Sequence, residues 1–107
     1  GQFKLESDEF KRYIQFEGAF AKQVQHQDKF WEFFNRTSQA VRQKMLYCMS
    51  GQLRLSPEHR YTVESRTASN DYAFMPKQRK LLLPPSDPPS VFDRSTTEII
   101  TFVNSLT

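Results

Sequence analysis

The chain has 107 residues, 37% hydrophobic and 14% aromatic, with ten Phe, three Gly and one Cys. That length carries one domain with a real core, and the lone Cys48 excludes an internal disulfide framework or a cysteine-built zinc cluster. The net charge of +3 is unevenly laid out, because residues 33–86 hold nine Lys and Arg against only Glu58, Glu64 and Asp71; an anionic partner would bind there.

Ser7, Asp8 and Glu9 form a helix start, with a capping hydroxyl followed by acids against the positive end of the dipole. Phe10, Ile14, Phe20, Ala21 and Val24 then recur near helical spacing, with Tyr13 and Phe16 widening the stripe. Gly18 marks a bend. The polar run Gln25-His26-Gln27-Asp28 interrupts the pattern, and Asp28 can cap a new helix. Two long helices are therefore expected, roughly 8–26 and 29–49, as a hairpin or as one long broken helix.

The second helix carries DKFWEFFNR. At about 100° per residue Phe30, Trp31, Phe33 and Phe34 fill an arc of roughly 160°, with Glu32 opposite. An arc that wide is core, so Phe30, Phe33 and Phe34 are expected inside, and Trp31 at the edge can reach a partner. Val41, Met45 and Cys48 continue the stripe, and Gly51 is a left-handed C-cap. Cys48, on the apolar side, reads as a small buried hydrophobe.

From Leu53 the texture changes to short alternations between turn-formers: Leu53-Arg54-Leu55, Tyr61 to Ser65, Tyr72 to Met75 and Lys80 to Leu83. A small antiparallel β element over 53–83 is expected, its clearest hairpin joining 72–75 to 80–83. The prolines of 84–90 make a stiff extended connector, since each removes a backbone donor. Ser95-Thr96-Thr97-Glu98 is a capping box that opens a last amphipathic helix within 91–107. The fold class is α+β: two long N-terminal helices, a small antiparallel β element and a C-terminal amphipathic helix, together one interaction domain over 1–107.

Chemistry is thinly provided. His26 and His59 lack metal-ligand spacing, three glycines cannot build a phosphate loop, and the carboxylates are scattered. No enzyme activity, metal or cofactor is expected. No apolar run approaches the ~20 residues that span a bilayer and no signal-peptide pattern opens the chain, so an intracellular place, nucleus or cytoplasm, without membrane binding is expected. The leading reading is a protein–protein interaction or assembly domain of a larger protein. It binds another protein, a different chain or a second copy, through Trp31, Phe92, Ile99, Phe102 and Val103. Intramolecular packing competes for the same helix, because a domain this small needs that apolar area itself. The alternative ligand is RNA or single-stranded DNA on a basic surface around 54–80. Arg54, Arg60, Arg66, Lys77, Arg79 and Lys80 would neutralise phosphates there, and Tyr61 and Tyr72 would stack on bases.

Overall fold

A computed structural model describes residues 3–66 and 69–106. Five helices, α1 (Ser7–Phe10), α2 (Ala19–Lys22), α3 (Val24–Arg36), α4 (Gln39–Ser50) and α5 (Pro89–Asn104), accompany four strands. The strands are β1 (Ile14–Glu17), β2 (Tyr61–Ser65), β3 (Ala73–Met75) and β4 (Lys80–Leu83), with a 3-10 turn over Pro76–Gln78. The class is α+β, and the radius of gyration, 12.8 Å, matches the ~13 Å of a compact chain this long.

The N-terminal half departs from the expected pair of long helices. Ile14-Gln15-Phe16-Glu17 fits a helical stripe and a strand alternation equally well, and long-range pairing decides for the strand. β1 runs parallel to β2, Ile14 opposite Tyr61 and Phe16 opposite Val63. Gly18 then stands at φ 69°, ψ −140°, outside any helix, and α2 is a single turn. Asp28 caps nothing, because α3 runs through it from Val24. The expected 29–49 helix is broken at Thr37 and Ser38, both extended. Thr37 Oγ1 donates to Phe34 O at 2.6 Å, and Ser38 Oγ accepts from Val41 N at 3.2 Å as the N-cap of α4. Gly51, at φ 76°, closes α4 as a left-handed cap.

The sheet is mostly parallel rather than a small antiparallel element. Its order is β1-β2-β4-β3, with only the β3–β4 pair antiparallel. The expected 72–75/80–83 hairpin is that pair, whereas Leu53-Arg54-Leu55 is loop. Parallel pairing requires a long crossover, and α2, α3 and α4 supply it between β1 and β2. Pro89 opens α5 at its first position, so the capping-box residues Ser95 and Thr96 lie buried inside the helix rather than at its start.

Phe16, Val63, Leu81 and Phe74 form one row across the sheet, on the face that meets the helices. Phe16 contacts Phe20, Phe30 and Trp31, and Phe74 contacts Phe102. Phe30, Phe33 and Phe34 sit in this core at 0–1% exposure, while Glu32 points outward and pairs with Lys29. The opposite sheet face, with Gln15, Glu17, Thr62, Glu64, Ala73, Met75, Lys80 and Leu82, holds no buried residue. One buried cation fastens the N-terminal segment. Arg42 donates to Leu5 O at 2.8 Å, to Phe34 O and Asn35 O, and lies 4.7 Å from the Phe34 ring.

Candidate interaction groove

α4 and α5 pack side by side and leave a groove of about 740 Å³ lined by Gln43, Lys44, Tyr47, Leu53, Ser105 and Leu106. The other clefts described hold about 280 to 360 Å³. Local structure explains its shape. Gly51 turns the chain back after α4, and Gln43 Nε2 donates to Leu53 O at 3.3 Å, pinning Leu53 beside the helix. Gln43, Lys44 and Tyr47 share a helix face at three- and four-residue spacing, and Ser105 and Leu106 follow directly on the C-terminal end of α5.

Among the described residues four large hydrophobic side chains are exposed, and three of them belong to this neighbourhood: Tyr47 at 49%, Leu53 at 55% and Phe102 at 42%. Val24, the fourth, stands alone at the start of α3. Phe102 continues the apolar surface toward β3, with ring centroids 6.3 Å from Phe74 and 6.5 Å from Tyr72. Burial raises the pKa of the Tyr72 hydroxyl above its ordinary value, with Glu98 and then Cys48 adding to the shift. The same cause raises the thiol of Cys48, which is partly buried against the core. Lys44 is the one charged residue lining the groove.

The residues expected to meet a partner are distributed differently. Phe92, Ile99 and Val103 are 0–1% exposed, so α5 packs on its own domain, and only Phe102 of that helix set stays accessible. Trp31 is buried, 8% exposed, with Lys11 Nζ 5.2 Å from its ring, and lines a separate polar cleft with Lys11, Gln27 and Asp28. Apolarity at helical spacing marked these side chains because it marks core. Tyr47 and Leu53 had no such signal, since the groove they line is closed by Ser105 and Leu106, more than fifty residues further along the chain.

The basic set is also divided. Arg60, Lys77 and Arg79 gather at the end of the sheet where β2 and β4 begin. Arg66 is at the other end of β2, donating to Asp71 O at 3.1 Å, and Arg54 lies in the loop beside Phe3, Lys4 and Glu9. Lys80 is neutralised on the outer sheet face, 3.0 Å from Glu64 and 3.7 Å from Glu17. Its hydrogen bond to Glu64 raises the lysine pKa and lowers that of the carboxylate. Tyr61 cannot stack on a base: it is 0% exposed, packs on Phe10, and its hydroxyl accepts from Ser56 N at 2.9 Å. Tyr72 is half-buried against Phe74 and Phe102.

The two histidines serve no metal cluster among the described residues. His26 is buried, and its Nδ1 accepts from the Ser86 backbone N–H at 3.1 Å while also meeting the Ser86 hydroxyl. That contact ties the proline connector to α3. No helix among the described residues is long and apolar enough to cross a membrane. No family model matches the chain, and no curated protein matches it in sequence.

Proposed function

We propose that this chain is a non-enzymatic protein-interaction domain whose α4–α5 groove receives the apolar face of an amphipathic helix from another protein. The observation that carries the reading is the exposure of Tyr47 and Leu53, two of the four exposed large hydrophobic side chains among the described residues, in the lining of one groove, with a third, Phe102, exposed four residues before the lining Leu106. A compact chain places its large apolar groups inside unless something else covers them, and grouped exposure is the mark of an interface. A trough between two helices suits a third helix, whose anchors at i, i+3 or i+4, and i+7 lie along it. Lys44 at the groove wall favours an acidic residue on the partner helix beside those anchors.

Selection of a helix-biased peptide library on the folded chain tests this. Enriched peptides should carry apolar anchors at helical spacing with an acidic residue alongside. They should bind the Tyr47→Ser/Leu53→Ser variant at least about tenfold more weakly, a loss of about 1.4 kcal/mol. Both side chains are about half exposed, so the variant should keep its fold. Enriched peptides that bind the variant as well as the parent would place the interface elsewhere.

A further inference from the structure

We propose that the chain has a second binding site, the end of the sheet where β1, β2 and β4 begin, and that this rim holds the phosphate backbone of a single-stranded RNA. The topology makes the site. Three parallel strands necessarily start at the same end, and a cation stands within two residues of each start: Arg12 before β1, Arg60 before β2 and Arg79 before β4. β3 runs antiparallel into that end, which brings Lys77 of the 3-10 turn alongside. Backbone hydrogen bonds fix the line: Tyr61 N donates to Tyr13 O at 2.8 Å and Thr62 N to Arg79 O at 2.9 Å. Arg60 Nη1 reaches across to Arg12 O at 3.0 Å, bringing its guanidinium against the Arg12 backbone. With neighbouring strands about 4.8 Å apart, the cations form a short row that a phosphate chain can follow.

Two further observations point to a ligand. Lys29, Arg42, Lys80 and Arg94 each form an ion pair among the described residues, and none of the four rim cations does. The rim cations are thus left without a close carboxylate partner, as several other surface cations are, and their common place at one end of the sheet is what an external anion would use. Arg79 is also the sole non-glycine residue with positive φ among those described, at φ 51°, ψ 51°. Asn and Gly are the residues that settle into that left-handed conformation with least strain. The left-handed turn at Arg79 sets its side chain at the rim, at the start of β4.

The rim chemistry favours phosphate over an acidic protein. Three of the four cations are arginines, whose planar forks match phosphate oxygens. The rim offers no large exposed apolar side chain to anchor a protein interface, and no exposed aromatic to grip a base. Recognition is therefore of the backbone and indifferent to base sequence.

Anisotropy of a fluorescein-labelled oligouridylate of about 15 nucleotides tests the site, since single-strand sites span roughly 4–16 nucleotides. Binding at about 50 mM salt should weaken with a log–log salt slope of about −2 to −3, from roughly 0.7 per neutralised phosphate. The Arg12→Gln/Arg60→Gln variant should lower that slope by about 1.4 and weaken binding about tenfold, with its circular dichroism unchanged. Arg79→Asn should weaken binding while its Tm stays level or rises. The Tyr47→Ser/Leu53→Ser variant should bind the oligonucleotide as the parent does, which separates this site from the groove. Absence of binding at about 50 mM salt would overturn the proposal. So would parental affinity in the double arginine variant, or equal competition by polyglutamate of matched charge.

Discussion

Replacing Gly18 by alanine tests the seam on which β1, α2 and β2 meet. A methyl group there would fall well inside contact distance of Ser65 Oγ, and within 3.2 and 3.3 Å of the Ser65 backbone O and N. The hydroxyl cannot simply swing away, because it accepts from Ala19 N at 2.6 Å and serves the first turn of α2. Losing that bond leaves a part-buried donor unmet, at about 1–3 kcal/mol. Holding a non-glycine residue at φ 69°, ψ −140° adds about 1–3 kcal/mol. Together the cost is about 2–6 kcal/mol, out of a total stability of about 5–15 kcal/mol for a chain this long. At roughly 4 °C per kcal/mol, Tm should fall by about 8–24 °C in a thermal melt followed by circular dichroism. Ser65→Ala removes the clashing oxygen, so the double variant should lose at least about 1 kcal/mol less than the two single losses added. A Gly18→Ala protein melting within about 4 °C of the parent would refute the reasoning, since the strain alone predicts more.

Arg42→Met keeps the bulk of the side chain but takes the guanidinium donor from the carbonyls of Leu5 and Asn35, while Phe34 O keeps Thr37; urea unfolding should show a loss of about 2–4 kcal/mol, and early proteolysis should fall in the N-terminal segment. The Glu17–Lys80–Glu64 ladder links stability to pH through two shifts of opposite sign. Because the folded-state pKa of Glu64 is lowered, its contribution is complete above the unfolded value of 4.5 and is lost as pH falls through the folded value. Lys80 is raised, so its contribution holds below 10.5 and is lost as pH climbs through the folded value. Glu64→Gln should flatten the acid limb of Tm against pH, and an unchanged limb would contradict the linkage. Burial that raises the Cys48 thiol predicts slow reaction with a disulfide reagent at mildly alkaline pH and at least about tenfold faster reaction in urea.

The parts of this fold that sequence foretells are those with a local cause. The α5 stripe, the left-handed cap at Gly51, the 61–65 strand and the hairpin of β3 and β4 each rest on residues a few positions apart. β1 has no such cause, because Ile14 and Phe16 fit helix and strand alike and the choice is made by pairing with residues 61–64. The same non-local pairing made the sheet parallel, which no alternation pattern distinguishes. The break at Thr37 and Ser38 did carry a signal, a serine able to cap, but the aromatic stripe ran on through it. The burial of Arg42 has no signal in the sequence, since nothing local marks a buried cation. For the candidate site, Phe102 was legible as an accessible apolar residue, while Phe92, Ile99 and Val103 were core residues read as anchors. The groove needs α4, the loop at Leu53 and the end of α5 together, and the rim needs the strand order; both are products of topology.

The central claim is that the α4–α5 groove is where a partner helix sits. Amide shift mapping of the isotope-labelled chain, titrated with a helical peptide selected on it, measures this directly. The account predicts perturbations concentrated in residues 43–53 and 102–106, absent from the Tyr47→Ser/Leu53→Ser variant. Perturbations centred on the outer sheet face, at Gln15, Thr62, Glu64 and Leu82, would contradict it.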